Sequence, residues 1–494
     1  MTFTRSSGIL LHPTSFPGPY GIGDVGPFAY RFIDYLAESG CKLWQVLPLG
    51  PTSYGDSPYQ CFSAFAGNPY MVSPDFLIEE GLLTIEDLSD MPNWDSNKVD
   101  FGLIYQWKPK LLDRAFDHFE ASASESLRDE WAKFRQTNAS WLDDYALFMA
   151  LKDSNGGVAW NEWPAPQRDR DHKTLAQARK QMADSINRQM FRQFIFFRQW
   201  DALRKYANDK GIQVIGDIPI FVAMDSSDAW ANPELFYLDE NGQPTVVAGV
   251  PPDYFSQTGQ LWGNPLYRWD VHKANGFKWW IERIRATLST VDIVRIDHFR
   301  GFAGYWEVPG DAETAVNGRW VPGPGIDLFH AIRKALGDLP IIAEDLGEIT
   351  PDVIELRDTL GLPGMKIFQF AFSGPDNPFL PHHYPQNCVV YTGTHDNDTA
   401  LGWYRTCPHN ERDFYHRYLG RDNANVPGDM IRAIWSSVAV FAIAPLQDFL
   451  GMGTEGRMNF PGKVGGYWAW RMDDSHLNDW LMGRLKELNW MYER

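Results

Sequence analysis

Cysteine is scarce. Cys41, Cys61, Cys388 and Cys407 are the only four in 494 residues, scattered without metal-ligand spacing and with nothing to suggest a disulfide framework. Long apolar runs are missing too. The longest uncharged one covers residues 438–446, too short to span a bilayer, and the first residues lack the apolar core of a secretory signal. A soluble, cytoplasmic protein is expected. Positive charge is in deficit, with 45 Lys and Arg against 63 Asp and Glu and a formal net charge of −18. That balance excludes a nucleic-acid backbone or an anionic membrane as the expected partner and favours a neutral substrate. G-x-x-x-x-G-K-S/T does not occur, and G-x-G-x-x-G occurs at 21–26 and 451–456, neither of which joins a predicted strand to a predicted helix, so no phosphate-cradling loop is expected for a nucleotide. No cofactor is expected.

Aromatic residues are plentiful by contrast. The 21 Trp, 20 Tyr and 31 Phe make up 15% of the chain. Most must serve the core, but pyranose rings have flat C–H faces that stack on indole and phenol, so a carbohydrate site would use several.

The length exceeds one simple domain and fits a large catalytic unit with insertions. A helix is predicted over residues 27–39 and a buried strand over 42–49. The loop 50–69 follows, with Tyr54, Asp56, Tyr59 and Gln60 suited either to a solvated connection or to a substrate loop. Residues 88–208 read as a helical insertion, in which Phe191, Phe194, Phe197 and Trp200 recur at helical spacing and predict a core-facing stripe. Strands and helices then alternate. Strands are predicted at 212–221, 291–297, 340–345, 364–372, 388–392 and 438–445, helices at 278–290 and 327–336, and irregular chain at 231–267 and after 301. Such alternation implies a parallel sheet.

Polar residues decide between an open sheet and a closed barrel. Asp217, Asp297, Glu344 and Asp396 fall at the C-terminal ends of several different predicted strands. An active site assembled from many strand ends belongs to a (β/α)8 TIM barrel, whereas an open sheet concentrates its chemistry at one switch point. A single α/β barrel unit spanning 1–494 is therefore expected, with a helical insertion at 88–208, a loop region at 231–267 and no additional N-terminal domain.

Asp297, Glu344 and Asp396, converging on one pocket, allow two chemistries. A divalent metal site is one, but hard cations gather ligands locally, and His298 and His395 are the only nitrogen donors nearby. Glycosidic bond cleavage is the other, needing a protonated acid beside the leaving oxygen and an ionised carboxylate near the anomeric carbon. Along the strand 291–297, Arg295 and Asp297 share one face. That cation is expected to lower the Asp297 pKa and keep it anionic. Glu344 follows Ile341-Ile342-Ala343 with no cation beside it, so burial and nearby carboxylates are expected to raise its pKa.

Seven stretches carry a resemblance over nearly the whole chain: LWQVLPLGPT (43–52), DSPYQ with SAFAGNP (56–60, 63–69), GDIPI (216–220), GVPPDYF (249–255), RIDHFRG (295–301), AEDLG (343–347) and GTHDNDT (393–399). The chain resembles the amylomaltases, 4-α-glucanotransferases of the disproportionating type that are related to the α-amylase barrel enzymes. The resemblance implies a retaining transfer on α-1,4-glucans and maltooligosaccharides, with glucose or another glucan as acceptor and no metal. By the same resemblance Asp297 is the nucleophile, Glu344 the acid and base, and Asp396 the stabiliser of the distorted sugar. Tyr59, Asp217, Arg295, His298 and His395 match residues that bind substrate. Asp253, Phe255, Gln260 and Trp262 match a loop over the acceptor side, and Asn459 in GRMNFPG (456–462) matches a residue facing that loop. Cys61, in place of a serine, and Ala303-Gly304, in place of an often acidic position, depart from the family pattern. The competing readings are an α-amylase-type hydrolase, which shares the acids but favours water, and a non-catalytic glucan-binding barrel, which would lack one of them.

Overall fold

The computed structural model describes residues 3–252, 256–463 and 465–494. In chain order its strands are β1 (Ser6–Leu10), β2 (Leu43–Gln45), β3 (Gln213–Pro219), β4 (Val246–Val250), β5 (Gln260–Pro265), β6 (Ile293–Asp297), β7 (Gly304–Pro309), β8 (Arg319–Pro322), β9 (Ile341–Ala343), β10 (Gly364–Ile367), β11 (Cys388–Tyr391) and β12 (Phe441–Pro445). Eight of them form one sheet in the order β10-β11-β12-β1-β2-β3-β6-β9. Every pairing along it is parallel. The sheet is nearly closed: β9 and β10 share no ladder, but the Ala343 N–H donates to the Pro363 carbonyl at 2.9 Å across that gap. The barrel expected from the acids is the architecture found.

Strand side chains alternate between the barrel axis and the surrounding helices. In β6, Val294 and Ile296 are sealed under helices while Arg295 and Asp297 point to the axis, as parity requires. Polar groups fill the axis through pairings with one another. Tyr391 donates to Gln45 at 2.8 Å across the barrel, and Arg295 Nε meets the Met365 sulfur at 3.3 Å.

The helices have local causes. Pro27–Ser39 starts with proline at N1, where the missing N–H costs nothing, and stops at Gly40 in the left-handed region at φ 82°. Phe101–Ser122 and Glu125–Ser154 begin on side-chain caps, Asp100 and Ser124, each accepting from the backbone three residues on. The helix Ala183–Asp209 carries the predicted stripe. Phe191, Phe194 and Trp200 are buried, Phe197 is half-buried, and Trp131 and Phe134 of the preceding long helix meet Phe194 at 5.5 and 5.6 Å between ring centres. Trp200 also donates to the Thr290 carbonyl at 2.8 Å, tying this helix to the chain just before β6.

Several expectations need correction. The strand predicted at 42–49 is only Leu43–Gln45, since Pro48 has no N–H to continue a ladder. Asp217 lies inside β3, two residues before its end, and Asp396 lies in the loop beyond β11. The stretches read as irregular hold a second, antiparallel sheet in the order β5-β4-β7-β8. A register shift between Val247 and Gly249 and a Pro-Pro pair after β4 interrupt the alternation that would have marked it. No helix among the described residues is long and apolar enough to cross a membrane.

Candidate active site

The site is built outward from Arg295. Register places Asp217 of β3 directly beside Arg295 of β6, and the guanidinium bridges two carboxylates. Nη1 donates to Asp217 Oδ2 at 2.6 Å and Nη2 to Asp297 Oδ1 at 3.0 Å. Asp217 is buried under Tyr59, whose hydroxyl donates to the same Oδ2 at 2.9 Å, and its other oxygen is buried without a partner. Burial and the Asp217 charge hold the Tyr59 phenol well above its ordinary range, so it remains a donor.

Glu344 follows β9, and a turn at the end of β6 reaches it. His298 adopts the left-handed conformation at φ 54°, which ends the strand and aims its N–H at Glu344 Oε2 at 2.6 Å. Leu346 N–H donates to Oε1 at 3.0 Å. These donors and Arg295 favour the anion, yet burial, followed by the Asp297 charge, pushes Glu344 up to about 8.

Asp297 departs from expectation. Burial is the largest influence on it and raises it to about 6, against the pull of Arg295 and with Asp217 and Asp396 adding to the rise. The cation visible in the sequence is real, but it offsets only part of the desolvation. The order of the pair is as anticipated, with Glu344 above Asp297. That order favours an ionised Asp297 beside a protonated Glu344. Burial pushes Asp396 up as well, but His395 and Asn459 outweigh it and bring it down to about 2. Asn459 donates to Asp396 Oδ1 at 2.6 Å, and His395 Nε2 lies 3.4 Å from Oδ2.

A cleft of about 390 Å³ opens beside these groups, and Glu344 is not among the residues that line it. Tyr59, Gln260, Trp262, Asp297, His395, Asp396 and Asn459 all face it. Asp217 and Arg295 sit beneath its floor and act through Tyr59 and Asp297. Glu344 is 8% exposed and borders the turn at His298. The His298 ring meets Trp262 edge-on at 4.7 Å, with Nε2 buried and unpartnered among the described residues, while Trp262 donates to the Gln260 side chain at 3.2 Å. Asp253 and Phe255 lie outside the described residues. Among those residues no group of three or more His, Cys, Asp or Glu could hold a metal ion.

Two contributors were not anticipated. Arg457 donates to the backbone carbonyl of Asp396 at 2.7 Å and to that of Asn459 at 2.6 Å, fixing the loop that carries the third acid. Trp468 packs on Tyr59 and His395, each at 5.8 Å, and its φ of 65° is costly for a bulky residue. Arg457 could have been found from its place in the GRMNFPG run. No local signal marks Trp468.

A family model described as 4-alpha-glucanotransferase matches residues 11–477. The 4-alpha-glucanotransferase of Thermus thermophilus is 53% identical over 503 residues, covering 100% of both chains. That of Synechocystis is 49% identical, covering 99% of this chain and 98% of its own. Among solved structures, an amylomaltase from Streptococcus agalactiae in complex with acarbose superposes with a TM-score of 0.96 at 42% identity, over 99% of each chain.

Proposed function

The chain belongs to the 4-alpha-glucanotransferase family and is a 4-alpha-glucanotransferase, and on that premise we propose that Asp297, Glu344 and Asp396 carry out a retaining double displacement. The observation that carries this reading is the difference in partners of the two carboxyls: Asp297 is bonded to the Arg295 guanidinium at 3.0 Å, whereas Glu344 accepts backbone N–H groups from His298 and Leu346. In the first step an Asp297 oxygen attacks the anomeric carbon of an α-1,4-glucan, and the bond to the leaving O4 breaks as Glu344 gives that oxygen its proton. The result is a glycosyl ester on Asp297 and an ionised Glu344.

Ester formation removes the Asp297 charge, which is the second largest cause of the raised Glu344 pKa. Glu344 therefore becomes less basic after the first step and persists as the carboxylate needed to take a proton from the acceptor 4-hydroxyl. That hydroxyl attacks the anomeric carbon, the ester bond breaks, and two inversions give retention. Asp396, held anionic by His395 and Asn459, accepts hydroxyl hydrogen bonds from the donor sugar as the ring flattens. Tyr59 supplies an aromatic face, and Arg295 keeps Asp297 aimed. His298 supports Trp262, which with Gln260 flanks the acceptor side. The same role is proposed for Asp253 and Phe255.

The substrates in this reading are α-1,4-glucans and maltooligosaccharides as donors and glucose or a glucan as acceptor, with neither nucleic acid nor membrane as a partner. A cytoplasmic location is supported by four free cysteines, three of them buried. The chain is read as one catalytic barrel with insertions at 88–208 and 231–267. The test is incubation with maltotriose, which transfer converts to glucose plus longer maltooligosaccharides, whereas hydrolysis yields only shorter sugars. Asp297→Ala and Glu344→Gln are each expected to abolish the longer products. Retained transfer in either overturns the assignment. Trp262→Ala is expected to raise the share of hydrolysis by opening the acceptor side to water.

A further inference from the structure

A second concavity, of about 320 Å³, opens where the helix Glu125–Ser154, the helix Ser227–Ala231 and the helix Lys278–Thr290 meet. It shares no lining residue with the catalytic cleft. Three aromatic rings form one side. Phe65 stacks on Trp141, with ring centres 6.5 Å apart and planes at 15°, and meets Trp279 edge-on at 5.9 Å. The Trp279 residue is 8% exposed, and its indole N–H is buried without a partner. Exposed Ser140, Glu234 and Lys278 line the same concavity, and their side chains make no hydrogen bond or ion pair among the described residues.

A free carboxylate, a free ammonium and a hydroxyl around aromatic faces suit a ligand with many hydroxyls. Charge does not favour an anion: Asp144, Asp228, Glu234 and Glu282 line the space against Lys278, with Asp144 paired to Arg170 and Arg179 and Glu282 to Arg285. The volume lies at the lower end of the range that takes small organic ligands. The wall does not depend on a loose loop: Ala64 N–H donates to Asp228 Oδ2 at 2.7 Å, and Ser227 N–H donates to the Phe62 carbonyl at 2.8 Å, pinning the segment that carries Phe65. We propose that this concavity is a secondary maltooligosaccharide-binding site, separate from the donor and acceptor positions, that holds a remote segment of a long glucan.

The inference rests on the reading of the enzyme as acting on α-1,4-glucans. Tethering one end of a long chain raises the effective concentration of the rest at the cleft. A trisaccharide is too short to gain from it. In Trp141→Ala and Trp279→Phe, KM for amylose is expected to rise about fivefold, while kcat/KM for maltotriose stays within about twofold of the parent. A second pair of changes, Glu234→Ala with Lys278→Ala, touches only exposed side chains and keeps the test open should either tryptophan variant fold poorly. In an Asp297→Asn background, which stops turnover, calorimetric titration with maltoheptaose is expected to lose one binding site when Glu234 and Lys278 are replaced. Unchanged stoichiometry, or equal losses with amylose and maltotriose, overturns the proposal. Absence of maltotriose transfer in the parent enzyme would instead count against the functional reading.

Discussion

Replacing Asp297 with asparagine isolates the contact that, in the proposed mechanism, lets one carboxyl serve as acid and then as base. Burial is the largest cause of the raised Glu344 pKa and the Asp297 charge the next, so the variant removes the second and keeps the first. Retaining glycosidases hold their two carboxyls roughly 5 Å apart. At that distance and an effective dielectric of about 20, two unit charges repel by about 3 kcal/mol, or roughly two pH units at ~1.4 kcal/mol each. Glu344 should therefore titrate about two pH units lower in Asp297→Asn than in the parent, where it stands at about 8. The assay is carboxyl ¹³C NMR of protein labelled at glutamate, with Glu344 assigned from the signal missing in Glu344→Gln. The parent's kcat/KM should fall below pH about 6, where Asp297 becomes protonated, and above about 8, where Glu344 loses its proton. The basic limb belongs to Glu344 and should be absent from any residual activity of Glu344→Gln. A Glu344 signal that titrates at the same pH in both proteins refutes the reasoning: burial alone would then set its proton affinity, and forming the ester could not turn it into a base.

What the sequence disclosed follows from the range of the forces involved. Strand parity is local, so Arg295 and Asp297 could be put on one face from their spacing alone. The register that sets Asp217 against Arg295 is a relation between β3 and β6, and nothing within either strand announces it. The sign error at Asp297 has the same origin. A cation two residues away can be read in a sequence, whereas the depth of the pocket around a carboxylate depends on chain that arrives from Tyr59, His395 and Asn459. For Glu344 the sequence offered no cation to mislead, and the expected rise is observed. The family motifs led to the loop of Asp396 and to Asn459 but not to Trp468, which reaches the Tyr59 and His395 rings from more than sixty residues beyond the third acid. The antiparallel sheet was missed because its strands pair across glycine- and proline-rich connections, where alternation is brief.

Removing the Arg295 guanidinium as Arg295→Met leaves Asp217 and Asp297 as adjacent, uncompensated carboxylates. Denaturant unfolding should show a loss of about 3–5 kcal/mol, and the acid limb of the kcat/KM profile should move above its parent position near 6. An unchanged limb would mean that Arg295 does not hold Asp297 ionised. Asn459→Ala removes the 2.6 Å bond to Asp396, a charge-assisted contact worth roughly 1.5–3 kcal/mol, and should lower kcat by about tenfold or more while Arg457 still holds the loop. No loss in kcat would refute a transition-state role for Asp396. Glu344→Gln should gain stability relative to the parent as pH rises, while it destroys activity. The folded pKa of Glu344, about 8, lies above the ordinary value of 4.5, so the native state binds this proton more tightly than the unfolded chain. The stability it confers is complete below pH 4.5 and is lost as pH rises through about 8, to a limit of about 5 kcal/mol, of which about 4 kcal/mol is gone by pH 8. At 8% exposure the group is screened little by solvent. Glutamine carries no charge to desolvate, but its amide nitrogen cannot accept, so one of the two backbone N–H groups on Glu344 loses its acceptor at every pH. The variant's stability relative to the parent should thus rise by about 4 kcal/mol from pH 4.5 to pH 8. With an unfolding entropy of about 1 kcal/mol/K for a chain of 494 residues, the melting temperature of the variant relative to the parent's should rise by about 4 °C over that range. Calorimetry at the two pH values decides it: a gap that does not widen with pH means that Glu344 is not the buried, proton-holding acid its surroundings imply.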